Sequence, residues 1–304
     1  MGRGSVRICG RDIKISGRLV RVAGLDADKF RFLEEDPELI VEGLRKARAR
    51  VDLFTFMQRL KEPAPKFKYP MELDNLAAIP ISTFDHWWMK QIGFKARNKA
   101  KQAEKKGVVL REVAFSDELV RGIWEIYNEC PVRQGRRFPH FGKDLEEVHR
   151  EEATYLDSSF FIGAYLDEKL IGFVKVISDE TGSQAGLLNI VSLIQQRDKA
   201  PTNALVAHAV KACASRGIAY LTYSNFSYGK KQRDTLSDFK ERNAFERIEV
   251  PRYYIPLTPL GHAALKLGLH HRLSERIPES LAEKLRGFRE AWYKRKFPTL
   301  TEAS

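Results

Sequence analysis

The sequence predicts a mixed α/β protein whose sheet is mostly antiparallel. Three observations lead to this fold class. Short segments rich in β-branched and aromatic residues alternate with longer segments of helical periodicity. Three strand-like segments follow one another directly between residues 158 and 194. One helix-like segment then separates two further strand-like segments, an order that favours helices flanking a sheet built mainly of hairpins.

Composition narrows the class of protein. The chain has 304 residues, 43% of them hydrophobic, which suffices for one large core or two smaller ones. The 52 Lys and Arg residues against 40 Asp and Glu residues give a formal charge of +12, which favours an anionic partner. Cys9, Cys130 and Cys213 form no C-x-x-C pair, so neither a disulfide framework nor a structural zinc site is predicted. With no run of about 18 apolar residues and no signal-peptide pattern, we expect a cytoplasmic protein.

Shifts in composition divide the chain into four parts. The stretch EPAPKFKYP, with its three prolines, favours a linker or surface crossover. The parts are a small N-terminal α/β segment (residues 1–80), a basic connecting helix (81–107), a domain of mixed strands and helices (108–258) and a C-terminal helical extension (259–304).

The elements before residue 108 are predicted from short-range patterns. The segment IKISGRLVRVAGL is strand-like, and DPELIVEGLRKARARVDLFTFMQRLKE is interpreted as helical. A long helix begins at an N-cap Ser82 or Thr83 and ends at Gly107. Its Lys and Arg residues point to several sides, which suits a solvated surface or a contact with RNA or DNA.

The elements after residue 108 follow a regular order. A strand (108–115) and two helices (117–130 and 144–156) enclose an irregular basic loop (131–144), and the remaining elements are strands 158–167, 169–179 and 185–194, helix 201–217, strand 218–224, helix 235–244 and strand 245–257. The crossover helix predicts that the strands before and after it run parallel, and we expect them to diverge at their C-terminal ends. The extension after residue 259 contains amphipathic helix and a basic end.

This order of elements resembles the GNAT acyltransferase superfamily. Two stretches are similar to motifs of its Fem-type, or FemAB-like, branch: FKARNKAKQAEKKGV to the basic R-x-x-x-x-K-A-x-x-x-G-V approach, and LSDFKERNAFE to the F-K-x-x-x-G-F ending. Since Fem-type proteins often carry two GNAT-like halves, the part before residue 108 is a reduced half or an unrelated cap. The resemblance implies an enzyme that transfers an acyl or aminoacyl group from an acyl-CoA or aminoacyl-tRNA donor to an amine acceptor, without a metal.

The resemblance places the donor between the splayed strands and at the start of the following helix. A helix N-terminus offers unpaired N–H groups and a partial positive charge to phosphates. No glycine occurs between Gly186 and Gly217, where the superfamily has Q/R-x-x-G-x-G/A, which disfavours acetyl-CoA in its usual pose. An ordinary strand-to-helix turn with solvated charges is the alternative. The predicted donor-binding residues are Ile190, Val191, Leu193, Arg197, Lys199, Ala200, Thr202 and Asn203.

The acceptor is assigned to the basic loop, because in proteins of this architecture the loop joins the two helices that flank the acceptor cleft. Donor side chains interleaved with aromatic residues suit an anionic acceptor, and a solvated loop is the alternative. His140 is also a candidate general base, although a packed or surface histidine is the commoner case. The predicted acceptor-binding residues are Arg133, Gln134, Arg136, His140 and Asn225.

Two residues are candidates for catalysis. Phe239-Lys240 stands where the Fem-type motif places a lysine near the reacting carbonyl, and a fixed cation stabilises a developing oxyanion. The alternative is a solvated lysine on an amphipathic helix. Tyr228 is the second candidate, as a general acid, and a packed tyrosine is its alternative.

Other sites are weakly indicated. His262, His270 and His271 match no established zinc spacing, so no metal site is predicted. Two other functions stay open. One is a non-catalytic nucleic-acid-binding protein on a degenerate GNAT scaffold, and the other is an ordinary acetyl-CoA N-acetyltransferase.

Overall fold

A computed structural model describes residues 4–30, 33, 36–60, 62, 64–179, 181–227, 235–271 and 279–296, apart from some side chains of the last range. The strands are β1 Gly4–Ile8, β2 Arg11–Ser16, β3 Val22–Leu25, β4 Leu53–Met57, β5 Met71–Pro80, β6 Val109–Val113, β7 Val132–Arg133, β8 Arg136–Arg137, β9 Ser159–Leu166, β10 Lys169–Ser178, β11 Gln184–Ser192, β12 Tyr220–Asn225 and β13 Glu246–Pro256. The α-helices are α1 Pro37–Lys46, α2 Phe84–His86, α3 Phe94–Lys105, α4 Asp117–Asn128, α5 Leu145–Glu152, α6 Pro201–Ser215, α7 Thr235–Arg242, α8 Pro259–Lys266 and α9 Glu279–Lys296.

Eleven of these strands form one continuous sheet. Their order is β1-β2-β3-β4-β13-β5-β12-β11-β10-β9-β6, and only the β3–β4 and β11–β12 pairs are parallel. The predicted fold class, a mixed and mostly antiparallel sheet flanked by helices, is therefore confirmed. None of the helices within the described ranges is long and apolar enough to cross a membrane.

The two parallel strands β11 and β12 separate soon after they begin. They pair only from Gln184 to Gly186 on β11 and from Tyr220 to Thr222 on β12. Beyond this point β11 continues along β10, while Asn225 of β12 pairs with β5. The predicted parallel pair with diverging C-terminal ends is confirmed, and the divergence leaves a gap in the sheet.

Strand β5 joins the early part of the chain to the later part. It lies between β12 and β13 and pairs antiparallel with both. Its residues Leu76, Ala77, Ala78 and Ile79 are fully buried, so the strand contributes to the core on both faces of the sheet. This strand was not predicted from the sequence, since MELDNLAAIP is polar at its start and lacks a clear alternation.

The helix predicted over residues 36–62 is wrong in its second half. Helix α1 ends at Lys46, and all five residues of β4 are buried, with the rings of Phe54 and Phe56 stacked at 5.6 Å. A strand that is buried on both faces has no alternation of polar and apolar residues. Its apolar run therefore cannot be distinguished from a buried helix by periodicity alone.

The single long helix predicted between Ser82 and Gly107 is also corrected. Helix α2 and a π-helical turn, Trp87–Gln91, precede an extended Ile92, and α3 starts only after Gly93. The amide of Gly93 donates to the carbonyl of Arg242 at 2.9 Å, and a Cβ at this position would lie 3.0 Å from that oxygen. Close contact with α7 therefore breaks the helix and selects glycine.

The helices cover both faces of the sheet. Ala96, Ala100 and Ala103 of α3 pack with α6 and strand residues such as Ile162 in one cluster. Helices α4 and α5 pack with alternate strand residues such as Phe161 in another. Because neighbouring strand residues point to opposite faces, the sheet is the middle layer of three.

A buried polar network fixes α4 and α5 to the sheet. One carboxylate oxygen of Glu152 accepts hydrogen bonds from Tyr127 Oη and Asn189 Nδ2, each at 2.8 Å. Lys175 Nζ donates to the carbonyls of Glu152 at 2.7 Å and Thr154 at 2.6 Å. Burial raises the pKa of Glu152 and lowers the pKa of Lys175 to about 8. The network therefore depends on an acceptor at position 152.

Glu152→Ala should lower the free energy of unfolding by about 3 kcal/mol, because it leaves the buried Tyr127 and the half-buried Asn189 without their acceptor. Glu152→Gln keeps one acceptor oxygen and should lose less than half as much. Chemical denaturation measures both values, with Glu146→Ala on the exposed side of α5 as the control. Equal losses in the Ala and Gln variants would contradict this role of the network.

Candidate active site

A cleft of 1090 Å³ opens where β11 and β12 separate. Its walls come from α3, the β7–β8 hairpin, the end of β11, the first turn of α6, and parts of α7 and α9. No acidic residue lines it in the part of the chain that the structure describes, whereas seven cationic residues do: Lys95, Lys99, Arg133, Arg136, Arg137, Arg197 and Arg242. A concave surface with charge of one sign concentrates the electrostatic potential. The cleft is therefore suited to a polyanionic ligand.

Several predicted donor-binding residues line this cleft. They are Ile190, Val191, Arg197, Thr202 and Asn203. Helix α6 begins with Pro201, and no side chain caps its N-terminus. Ser192 Oγ and Thr202 Oγ1 lie 2.9 Å apart and join the end of β11 to the first turn of α6. The dipole of α6 therefore adds positive potential at this end of the cleft.

The other three predicted donor-binding residues do not line the cleft. Lys199 pairs with Asp198 at 3.4 Å, and Asp198 also pairs with Lys106 at 3.0 Å. Ala200 is buried with a φ of 53°. Leu193 packs against the core. Of the two cations predicted for phosphate binding, the structure places only Arg197 in the cleft.

A carboxylate already occupies the turn that follows β11. Glu129, at the C-terminal end of α4, accepts hydrogen bonds from the amides of Ile194 at 2.7 Å and Gln195 at 3.0 Å. It also lies 3.0 Å from the guanidinium of Arg133, and its side chain is only 9% exposed. Convergent backbone amides form an anion-binding concavity. Glu129 therefore fills the turn that precedes the predicted phosphate site at the start of α6, a contact that no local sequence pattern reveals.

Arg133 is held by the protein itself. Its guanidinium donates to the carbonyls of Ser192 at 2.7 Å and Ile126 at 2.8 Å, in addition to Glu129. It lies 4.7 Å from the ring centroid of Phe138, and burial lowers its pKa. The predicted acceptor ligand thus lines the cleft while it anchors the β7–β8 hairpin to β11.

The basic loop is more ordered than predicted. Residues 131–144 contain the β7–β8 hairpin, whose exposed Gln134 and Arg136 line the cleft. His140 does not line it. Its ring stacks on Tyr127 at 4.3 Å, and burial together with the nearby Lys143 lowers its pKa. The structure therefore favours the packed histidine over the acceptor ligand or general base.

Lys240 is fully buried beneath the cleft. Its ammonium group donates to the carbonyl of Asn225 and lies 4.7 Å from the ring centroid of Tyr223, a residue that lines the cleft. The alternative of a solvated lysine is therefore wrong. The ring of Tyr223 therefore contacts both this positive charge and the cleft, in surroundings that screen the charge weakly.

Asn225 supports Lys240 and does not line the cleft. Its side-chain amide donates to Asp74 at 2.7 Å, and Asp74 in turn accepts from Arg252 at 3.1 Å. Its Oδ1 is buried and has no hydrogen-bond partner among the described residues. Asn225 thus positions the lysine through its backbone carbonyl. Tyr228, the other candidate for catalysis, lies outside the described residues.

Several lining residues were not predicted as ligands. They are Lys95, Lys99, Arg137, Arg242, Tyr223 and Tyr293. The first two belong to the basic helix, for which the sequence left solvation and nucleic-acid contact open. The break at Gly93 directs these lysines to the cleft, and that break was not predicted from the sequence.

A cluster of possible metal ligands lies at the start of β5. One carboxylate oxygen of Glu72 is 3.1 Å from the Nε2 atoms of both His270 and His271. Tyr254 donates to the second oxygen at 3.3 Å. These distances are those of ordinary hydrogen bonds to a carboxylate. Glu72, Tyr254, His270 and His271 are not among the residues that line the cleft.

Comparison with known proteins supports the fold. No family model and no curated protein sequence matches the chain. Among solved structures, the C-terminal domain of a protein described as a lysylphosphatidylglycerol synthetase from Agrobacterium fabrum is similar with a TM-score of 0.54 and 12% identity, over 88% of each chain. L-PGS from Bacillus licheniformis has a TM-score of 0.55 and 14% identity, over 86% of this chain and 87% of that one. FemX has a TM-score of 0.52 and 12% identity, over 82% of this chain and 88% of that one.

The agreement covers most of each chain, including the part before residue 108. At these identities the likeness concerns the arrangement of the elements and not the chemistry. The chain therefore has the GNAT-like fold of Fem-type acyltransferases.

Proposed function

We propose that this protein transfers an aminoacyl group from a tRNA ester to an amine acceptor. The amine attacks the ester carbonyl, the C–N bond forms as the C–O bond breaks, and the tRNA hydroxyl leaves. The observation that carries the proposal is the cationic cleft between β11 and β12, with a buried ammonium group beneath its wall. One structural neighbour is described as a lysylphosphatidylglycerol synthetase, a name that supports aminoacyl transfer in this fold.

The contacts of Glu129 favour tRNA over acyl-CoA as the donor. A coenzyme A pyrophosphate in the turn after β11 would have to displace this carboxylate from the amides of Ile194 and Gln195. Displacement would also leave the buried guanidinium of Arg133 without its carboxylate. A polynucleotide backbone needs no such pocket, since it can bind cations spread along the cleft.

Lys240 is proposed to stabilise the oxyanion of the tetrahedral intermediate. A fixed positive charge beneath Tyr223 requires no reorganisation when negative charge develops in the cleft. The carbonyl of Asn225 holds the ammonium group in place. The charge therefore favours the transition state over the neutral ester of the bound donor.

The two other candidate functions differ from this proposal in measurable ways. A nucleic-acid-binding protein on a degenerate GNAT scaffold would bind tRNA in the cleft without transfer. An acetyl-CoA N-acetyltransferase would bind acetyl-CoA despite Glu129.

The wild-type protein should bind aminoacylated tRNA and show no saturable binding of acetyl-CoA at about 1 mM. Glu129→Ala should gain pyrophosphate binding, because it frees two amides beside Arg133. Calorimetry measures the binding of aminoacylated tRNA, acetyl-CoA and pyrophosphate, with Glu125→Ala, an exposed position of the same helix, as the control. Tight acetyl-CoA binding by the wild type would contradict the proposed donor.

Lys240→Met should lower kcat by about 100-fold, the typical effect of removing one group that stabilises an oxyanion. Methionine retains the aliphatic length, so donor affinity should stay within about twofold. Steady-state transfer assays and donor titration separate the two effects. Lys211→Met, an exposed lysine of α6, is the matched control, and thermal melts show whether the buried substitution leaves the protein folded. A folded Lys240→Met variant with wild-type kcat would exclude the proposed role.

Replacing both Arg136 and Arg137 by alanine should weaken tRNA binding. The slope of log K against log salt should also fall by about one for each phosphate that the variant no longer binds. Binding assays at several salt concentrations measure the slope, with Arg150→Ala on the exposed side of α5 as the control. An unchanged slope would mean that the hairpin does not contact the donor phosphates.

A further inference from the structure

Helix α9 exposes a strip of large apolar side chains. Leu285 is 52% exposed, Phe288 77% and Trp292 53%. With a turn of about 100° per residue, these three positions lie within about 60° of one another around the helix axis. An ordinary surface helix buries such a strip against its own protein core. Here the strip faces outward.

Cationic residues flank this strip on both sides. By the same helical geometry, Lys284 and Arg295 lie along one edge and Arg289 and Lys296 along the other. All four are exposed. An apolar strip with aromatic residues and a cationic border is the pattern of a helix that lies in the plane of an anionic membrane surface.

The position of α9 connects this strip to the cleft. Tyr293, which follows the strip residue Trp292, lines the cleft, and α9 packs beside β8. Helix α3 and the turn before it also expose apolar side chains next to a cationic residue, on another wall of the cleft. Phe94 is 69% exposed and directly precedes the lining residue Lys95, and Met89 of the preceding π-helical turn is 64% exposed. Two walls of the cleft therefore present apolar and cationic side chains together.

We propose that α9 is a membrane-docking helix that holds the cleft at the surface of an anionic lipid bilayer. The apolar strip enters the region between headgroups and acyl chains, while the flanking cations contact lipid phosphates. The charge on both edges favours a membrane over a second copy of this chain, which is itself strongly basic. This proposal rests on the surface of α9 and not on the transfer reaction.

Co-sedimentation with lipid vesicles tests the proposal without an activity assay. The protein should bind vesicles that contain phosphatidylserine at least tenfold more tightly than vesicles of phosphatidylcholine alone, and added salt should weaken the preference. The double variant Phe288→Gln/Trp292→Gln should reduce binding at least tenfold. Leu39→Gln, a half-exposed leucine of α1, should leave binding unchanged.

A second variant separates charge from apolar contact. Lys284→Gln/Arg289→Gln retains the apolar strip and should lose the preference for anionic vesicles. Circular dichroism shows whether each variant retains its helix content. Equal binding to both kinds of vesicle, or wild-type binding by the folded Phe288/Trp292 variant, would overturn the proposal. The Phe288/Trp292 variant could instead keep vesicle binding and lose self-association, which would overturn the proposal and assign the strip to a second copy of the chain. If that variant kept vesicle binding and lost RNA binding, the proposal would be overturned in favour of RNA.

Discussion

The early separation of β11 from β12 is the constraint on which the rest of the site depends. Three residues on each strand pair, and the strands then follow different neighbours. Strand β5 makes this possible, because it pairs with the end of β12 and keeps that strand within the sheet after it has left β11. Without β5, the end of β12 would lack a partner on either side. The part of the chain before residue 108 therefore contributes the strand that holds one side of the cleft in the later part.

The charged residues around the gap fall into two groups, those that bind other groups of the protein and those that face the cleft. Arg133 and Glu129 are engaged within the protein, where they close the turn after β11 and hold the hairpin against it. Of the remaining cations of the cleft wall, Arg242 lies 3.7 Å from the carboxylate of Asp238, whereas Lys95, Lys99, Arg136 and Arg137 are exposed towards solvent. A net charge of +12 does not by itself place a binding site, since surface cations normally pair with neighbouring carboxylates. The cleft differs from the rest of such a charged surface, because no acidic residue occurs in its described lining.

Most of the later fold could be predicted from the sequence, whereas the central strands could not. Strands β9 to β11 and helix α6 have clear periodicity and turn residues at their ends, and these elements were placed correctly. Strand β4 is buried on both faces and β5 is central, so neither has the alternation that identifies a half-buried strand. The break before α3 follows from a contact between Gly93 and Arg242, which are far apart in sequence. Long-range contacts of this kind leave no local signal.

The same reasoning explains which candidate residues could be selected from the sequence. Thr202 and Asn203, which line the cleft, were selected because a strand followed by a helix fixes where the helix N-terminus lies. Lys240 was selected only through the resemblance, and its burial was not expected. Glu129 could not be found, because its carboxylate reaches a turn that lies 65 residues further along the chain. The carboxylate binds the amides of Ile194 and Gln195 from within the protein, so these two donors are closed to a ligand while Glu129 stays in place. A contact between distant residues can therefore change what a cleft offers to a ligand without changing the order of the strands and helices around it.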